Sequence, residues 1–263
     1  MAIQALNIAV TGAEAAQIKI NAATHDLTNE KSIAFKPTMV ETADLPSTFL
    51  KRGGIIDNDA ATRRPVGIHI GSGVKVTGTV RNTAQGPLNQ TNQPLDIAIT
   101  GHGYFAITLP NGRTGYTRAG NFKRDPENGL VVTHTGNPLS NGVAIPENID
   151  TNDVNISADG RITAPNPEDP TQIIEIGQLE IFTFPNERGL EPIADNGFQE
   201  TSASGEAIQI GDTNNRFQQK YLEGSTVSLV MTLVEMADAK RQYELAIKAI
   251  NMVREMEKSL SEA

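Results

Sequence analysis

The first 27 residues carry apolar side chains at alternating spacings of three and four. One heptad series is Leu6, Ala13, Ile20 and Leu27, and the interleaved series is Ala2, Ala9, Ala16 and Ala23. Such a narrow stripe predicts a helix that packs lengthwise along another helix and not over a broad core. Because the interleaved series is entirely alanine, we expect the partner helix to approach very closely.

A second stripe occupies the other end of the chain, from Ser225 to about Leu260. Its two heptad series are Leu229, Met236, Tyr243 and Ile250, and Thr232, Ala239, Ala246, Val253 and Leu260. No glycine or proline follows Gly224, so the sequence predicts one helix about 50 Å long, with Ser225 or Thr226 as its N-cap. The larger side chains of this stripe complement the alanines of the first. We therefore predict that the two ends pair as one antiparallel or crossed coil.

Between the ends, residues 66–215 consist of short β-branched runs separated by turn dipeptides. Residues 66–80 alternate apolar and polar side chains at the strand period. Asn111-Gly112, Asn128-Gly129 and Asp159-Gly160 lie beside such runs, which is typical of hairpin turns. No long amphipathic pattern interrupts the runs, so antiparallel strands are favoured over parallel βαβ units.

Together these patterns predict an α+β fold, with paired long terminal helices of the coiled-coil type and an antiparallel β-rich central domain. Residues 1–36 and 222–263 are predicted to form a discontinuous helical domain, residues 37–65 an extended connecting arm, and residues 66–221 the β-rich domain. The arm is assigned because its sequence follows neither the helical nor the strand period.

Composition excludes several classes of protein. The chain of 263 residues has a net charge of -9, which argues against nucleic-acid binding because phosphate affinity depends on clustered Lys and Arg. It contains no cysteine, which excludes disulfides and thiolate zinc sites. The N-terminus lacks a basic region and its apolar stretch is interrupted by Gln4, Asn7 and Thr11, so we expect no cleaved signal peptide. The most apolar run, residues 225–234, is too short for membrane insertion.

The residues offer no catalytic, metal-binding or cofactor-binding pattern, and we expect none. The four histidines lack ligand or triad spacing and are expected on the surface; they are His25, His69, His102 and His134. The acidic pairs Asp57/Asp59 and Glu168-Asp169 lie in polar segments without apolar walls that would raise a carboxyl pKa, so solvated loops are favoured over glycosidase chemistry. The Gly-x-Gly at 101–103 is better explained by a close turn between strands than by a phosphate loop.

Residues 85–139 combine two spaced motifs. The first consists of Gln85-Gly86, Leu88, Thr91, Leu95-Asp96-Ile97-Ala98-Ile99, Gly101 and Gly103-Tyr104-Phe105; the second consists of Tyr116-Thr117-Arg118, Gly120, Phe122, Asp125, Asn128-Gly129 and Gly136-Asn137-Pro138-Leu139. This combination resembles the central signature of bacterial flagellar rod and hook proteins.

Both ends of the chain extend the resemblance to nearly its whole length. Residues 33–36 (IAFK) are similar to the segment that closes the N-terminal helix in that family, although Ala34 stands where glycine is usual. Arg241, Tyr243 and Glu244 match the C-terminal helix. Length, residues 66–74 and the segment from about Ser47 to Arg64 point to the distal-rod branch.

The resemblance implies a structural subunit that is not an enzyme and self-assembles into the helical tube of the flagellar distal rod, which transmits torque from motor to hook. Implied partners are copies of itself, other rod proteins, the hook protein and the surrounding ring (bushing) proteins. The implied location is the basal body, from periplasm to outer membrane, reached through the flagellar export apparatus. The predicted subunit interface consists of Leu6, Ala9, Ala13, Ala16, Ile20, Ala23, Leu27, Leu229, Met236, Ala239, Tyr243, Ala246, Ile250 and Val253.

Two alternatives remain open at the level of sequence. One is a proximal-rod or hook protein of the same family, for which the arm would not pack between subunits. The other belongs to a different class: a secreted β-domain hydrolase or binding module with a helical tether. A hydrolase would need a concave site with convergent polar side chains, and the sequence shows none.

Overall fold

The chain folds into two compact units. The computed structural model describes residues 2–51, 56–57, 60–63, 67–167, 169, 171–211 and 216–261. Unit 1 comprises Met1–Thr28, Thr38–Val80 and Ser228–Ala263, and unit 2 comprises Asn29–Pro37 and Arg81–Val227. The domain boundaries predicted from the sequence, at 36/37, 65/66 and 221/222, stay predictions.

Two long helices form the frame of unit 1. Helix α1 spans Ala2–Thr28 and helix α2 spans Leu229–Ser261, and they pack against each other. Both predicted terminal helices are thus confirmed, but the predicted N-cap is wrong. Thr226 lies outside α2, which begins at Leu229, and its N–H donates to the carbonyl of Phe35 at 3.2 Å. The first helical hydrogen bond instead runs from the N–H of Thr232 to the carbonyl of Ser228 at 2.9 Å.

The other elements of unit 1 are short strands that come after α1 in the chain. The strands are β1 (Thr38–Asp44), β2 (Thr48–Lys51), β3 (Ile56–Asp57), β4 (Ala60–Arg63), β5 (Ile68–Ile70) and β6 (Val74–Arg81). They pair as β1 with β6, β2 with β5 and β3 with β4. Asp57 therefore ends a strand, contrary to its predicted place in a loop, whereas Asp59 and Glu168 lie outside the described residues.

Helix α1 has a second buried face that packs on β1. Ala15 is buried on this face, and the N–H of Thr38 donates to Asp26 Oδ2 at 3.0 Å. The N–H of Val74 reaches Thr11 Oγ1 at 3.4 Å. Gly73 has a φ of 104°, and a Cβ at this position would collide with the Thr11 hydroxyl. The heptad stripe gave no indication of this second face.

Unit 2 is built from fifteen described strands. They are β7 (Leu88–Gln90), β8 (Ile97–Ile99), β9 (Phe105–Thr108), β10 (Thr114–Thr117), β11 (Lys123–Arg124), β12 (Val131–Val132), β13 (Asn155–Ile156), β14 (Arg161–Pro165), β15 (Ile173–Gln178), β16 (Phe182–Thr183), β17 (Glu191–Ile193), β18 (Gly197–Gln199), β19 (Ile208–Gln209), β20 (Phe217–Gln219) and β21 (Tyr221–Glu223). The largest sheet has the order β17-β18-β10-β9, and a second has the order β13-β14-β15. The strands pair antiparallel, which confirms the predicted α+β class.

The three predicted turns are confirmed as well. Gly112 connects β9 to β10, Gly129 lies between β11 and β12, and Gly160 connects β13 to β14. Their φ angles are 75°, 66° and 88°, a left-handed conformation in which glycine carries no steric penalty.

Two adjacent aromatic residues supply two different cores of unit 2. Phe105 contacts Phe122 edge to face at a centroid distance of 5.0 Å, inside a large aliphatic core. Tyr104 points to the other side of the strand and packs on Phe198 at 5.6 Å, in a smaller aromatic core. This division follows from the two-residue period of a strand, whose successive side chains point to opposite faces.

Candidate subunit-assembly site

Helices α1 and α2 meet along a seam of small side chains. Ala16 is only 1% exposed, and Ala239 on α2 is 3% exposed. Thr24 Oγ1 lies 4.0 Å from Met236 Sδ. Thr24 is near the end of α1 and Met236 is near the start of α2, so the two helices run antiparallel. Alanine on both sides allows the close approach that the stripe predicts.

The structure places the predicted interface residues along this seam within one chain. Five of them are buried: Ala13, Ala16, Ala23, Ala239 and Val253. Eight are half-buried: Leu6, Ala9, Ile20, Leu27, Met236, Tyr243, Ala246 and Ile250. Leu229 alone among the fourteen is exposed. A contact of these residues with a neighbouring copy stays a prediction.

The sequence analysis missed a second apolar surface, on the side of α2 that points away from the seam. We call it the outer face, and it consists of exposed side chains: Val230, Met231, Val234, Leu245, Met252 and Met256. At 100° per residue these positions fall within an arc of roughly 100°. An exposed ion pair between Asp238 and Arg241, 3.5 Å apart, divides the outer face into two apolar patches. These residues lie outside the two heptad series, but a search for a second stripe would have found them.

A buried polar cluster in unit 2 was also missed. We call Lys36, Arg118 and Glu223 the Glu223 cluster. Glu223 Oε1 accepts from Lys36 Nζ at 2.5 Å, and Oε2 accepts from Arg118 Nε at 2.8 Å. The N–H of Gly86 also donates to Oε1, at 2.8 Å. All three charged side chains are at most 2% exposed, so two buried cations share one carboxylate.

The surroundings hold both cations in place. Lys36 Nζ also donates to the carbonyl of Ala84, and Arg118 Nη2 donates to the carbonyl of Gly101. The Arg118 guanidinium lies 5.7 Å from the centre of the Tyr104 ring, a cation–π distance. Burial lowers the pKa of the Lys36 ammonium, and the neighbouring Glu223 carboxylate offsets part of that decrease. Burial likewise raises the pKa of the Tyr104 hydroxyl, and Glu187 adds to the increase.

The Glu223 cluster connects the segment that follows α1 with the segment that precedes α2. The N–H of Ala34 donates to the carbonyl of Glu223 at 2.8 Å. Ala34 adopts a φ of 55°, so the position retains a glycine-like backbone although an alanine occupies it. Phe35 beside it is 2% exposed. The resemblance had pointed to Lys36, Arg118 and Gly86 separately, and only the fold shows that they converge on one carboxylate.

Comparison with known proteins assigns the family. The model described as "Flagellar hook protein FlgE/F/G D1 domain" matches residues 98–164, and that described as "Flagellar basal body rod FlgEFG protein C-terminal" matches residues 218–263. The flagellar basal-body rod protein FlgG of Caulobacter vibrioides is 35% identical over 263 residues, which is 99% of each chain. The chain belongs to the FlgG family of flagellar basal-body rod proteins.

Relatives in distant bacteria agree with this assignment. The FlgG proteins of Borreliella burgdorferi and Bacillus subtilis are 36% and 31% identical, each over 94% of both chains. As a member of the FlgG family, the chain is a structural subunit of the flagellar basal-body rod, as the resemblance implied. The family assignment favours this function over the hook, proximal-rod and hydrolase alternatives.

All four histidines are exposed. Within the part of the chain that the structure describes, no group of three acidic or histidine side chains is arranged to hold a metal ion. No helix of that part is both long and apolar enough to cross a membrane.

Proposed function

We propose that this FlgG-family chain builds the distal part of the flagellar rod by self-assembly, and that the outer face of α2 is the contact surface. The supporting observation is the exposure of large apolar side chains on that face. Val230 is 70% exposed, Met231 61% and Met252 58%. Soluble monomers rarely expose large contiguous apolar patches, and large exposed patches commonly mark interaction sites.

A neighbouring copy of the same chain is the proposed occupant of the outer face. Copies that join through two different surfaces form a helical tube when the rotation between them does not close. Such a tube would transmit torque from the motor to the hook through repeated identical contacts. Long thin helices gain most of their stability from packing, so each added copy would stabilise the helices of the one before.

The wider setting is proposed from the family assignment. We propose that the rod contacts other rod proteins, the hook protein and the surrounding ring proteins, and spans the space from periplasm to outer membrane. Subunits would reach this place through the flagellar export apparatus. We also retain the predicted domain boundaries and the predicted seam contacts between copies as parts of this proposal.

A matched pair of substitutions on α2 tests the contact surface. Met252→Glu puts a negative charge on the outer face, whereas Asn251→Glu adds the same charge at an exposed neighbouring position away from it. We expect Met252→Glu to abolish polymers that the wild-type chain and Asn251→Glu both form, as measured by sedimentation and electron microscopy at high protein concentration. Equal assembly of the two variants would exclude the outer face, and a wild-type chain that stays monomeric would contradict the proposed self-assembly.

A further inference from the structure

Residues 33–37 form a short segment that unit 2 holds at several points; we call it the latch segment. The carbonyl of Ile33 accepts from Asn196 Nδ2 at 2.8 Å, and the carbonyl of Pro37 accepts from the N–H of Asn82 at 3.0 Å. The carbonyl of Phe35 accepts from the N–H of Thr226. Lys36 anchors the segment by its ion pair with Glu223.

The latch segment lies just after α1 in the chain, and its partner Glu223 lies just before α2. Ala34 follows the last residue of α1, Thr28, by six residues, and α2 begins six residues after Glu223. Ala34 and Glu223 are themselves joined by a backbone hydrogen bond. Unit 2 therefore holds the chain leading out of α1 directly beside the chain leading into α2.

We infer that the latch segment, fastened by the Lys36–Glu223 ion pair, brings α1 and α2 together after unit 2 has folded. When unit 2 is folded, the hydrogen bond from the N–H of Gly224 to the carbonyl of Pro87 already holds these two residues together. Without the latch segment, pairing the helices then requires closing about 60 residues; with it, the connection shortens to about 12 residues. The effective concentration of one helix at the other falls as about the three-halves power of loop length, so the gain is at most about 10-fold. Folding of the β-rich unit thus prepares the helix pair.

Substitutions that change the charge of Lys36 should release the latch segment from unit 2, because Glu223 holds it by an ion pair. Lys36→Glu would place two carboxylates against each other where burial leaves them no water, so the latch segment is expected to leave its site. Lys36→Met keeps the length of the side chain, removes a buried charge and leaves Glu223 paired with Arg118. Removing one partner of a buried ion pair is destabilising, but Lys36→Met brings no like charges together, so this variant should loosen the latch segment less than Lys36→Glu does.

Helix pairing is measurable in a single chain by disulfide trapping. The chain has no cysteine, and Thr24 Oγ1 lies 4.0 Å from Met236 Sδ. Thr24→Cys and Met236→Cys, introduced together in the full-length protein, report pairing through the rate at which they form a disulfide under a fixed oxidant. Dilution excludes contributions from intermolecular pairs, and circular dichroism with urea unfolding checks that unit 2 stays folded.

We expect Lys36→Glu to slow trapping at least fivefold and Lys36→Met to slow it by a smaller factor. Arg161→Met, which removes an exposed cation of unit 2, is the control and should stay within twofold of the parent protein. Equal slowing in all three variants would overturn the inference, because Arg161→Met leaves the Lys36–Glu223 ion pair intact. If Lys36→Glu unfolds unit 2, Glu223→Gln takes its place, since it leaves Lys36 without its carboxylate. Unchanged trapping in a folded charge variant, or loss of folded unit 2 in both charge variants, would overturn the inference. The readout uses monomers, so its failure is distinct from a failure of the proposed assembly.

Discussion

Arg118 Nε lies 2.8 Å from Glu223 Oε2, and both side chains are 1% exposed. The same distance separates Arg161 Nε from Asp159 Oδ2, but there the arginine is 59% exposed. The two pairs have the same N–O distance and differ in their exposure to water. Water screens an exposed pair, whereas a buried charge that loses its partner keeps its full desolvation cost.

Arg118→Met is therefore expected to destabilise unit 2 strongly. It removes one partner of Glu223 and leaves the carbonyl of Gly101 without its donor, and breaking a buried pair typically costs about 3–5 kcal/mol. Because Lys36 still compensates Glu223, we expect the lower end of that range. Arg161→Met is the control and should unfold at nearly the wild-type urea concentration. Similar urea midpoints for the two variants would contradict the assigned role of burial.

Ala16→Leu is expected to open the seam between α1 and α2. Ala16 is buried, and overpacking of this kind costs about 1–3 kcal/mol. The loss should appear as an earlier thermal decrease in helical circular dichroism and as a higher critical concentration for assembly in sedimentation.

Gln17→Leu is the matched control for added hydrophobicity. Gln17 is exposed and bonds only to Asn21 at 3.1 Å among its described contacts. We expect this variant to melt and assemble nearly as the wild type does. If the two leucine variants behaved alike, the alanine stripe would not be the site of close approach.

Ala34→Gly is expected to be neutral or slightly stabilising. The left-handed backbone costs a non-glycine residue about 1–2 kcal/mol, while glycine loses about 0.5–1 kcal/mol through the entropy of the unfolded chain. The difference leaves a gain of 0 to about 1.5 kcal/mol. Ala144→Gly, at an exposed position bridged to Leu130, lacks the strain and should be destabilising. Urea unfolding of both variants decides whether the signs differ.

Alkaline pH should destabilise unit 2 through Tyr104. Burial raises the pKa of this hydroxyl above its usual value, so the folded chain retains a proton that the unfolded chain releases above about pH 10. Stability then falls as pH rises, by up to about 1.4 kcal/mol per pH unit. The lowered pKa of Lys36 acts in the opposite direction, but only below about pH 10.5.

The contribution of Tyr104 is isolated by measuring urea unfolding between pH 10.5 and 12. Tyr104→Phe removes the ionisable hydroxyl and its 3.4 Å hydrogen bond to Glu187. This variant should lose less stability per pH unit than the wild type, even if it is less stable at neutral pH. Parallel pH profiles for the two proteins would show that Tyr104 does not titrate differently on unfolding.

The sequence by itself determined the two helices, the hairpin turns and the α+β class. These features depend on local patterns: heptad spacing sets one face of a helix, and Asn-Gly or Asp-Gly supplies the left-handed backbone of a tight turn. It also carried the motifs by which the family was recognised. The start of α2 was misplaced because Ser225, Thr226 and Ser228 are all N-capping residue types, and the local pattern does not choose among them.

Only the tertiary structure decided which surfaces those local elements share. Lys36, Arg118 and Glu223 meet across 187 and 105 residues of sequence, and no local spacing relates them. The complementary side-chain sizes of the two stripes predicted that α1 and α2 pair, and the fold shows that this pairing forms within a single chain. This leaves the exposed methionines of α2 for other contacts. Periodicity is a property of one element, whereas partnership depends on how distant elements bury each other's side chains.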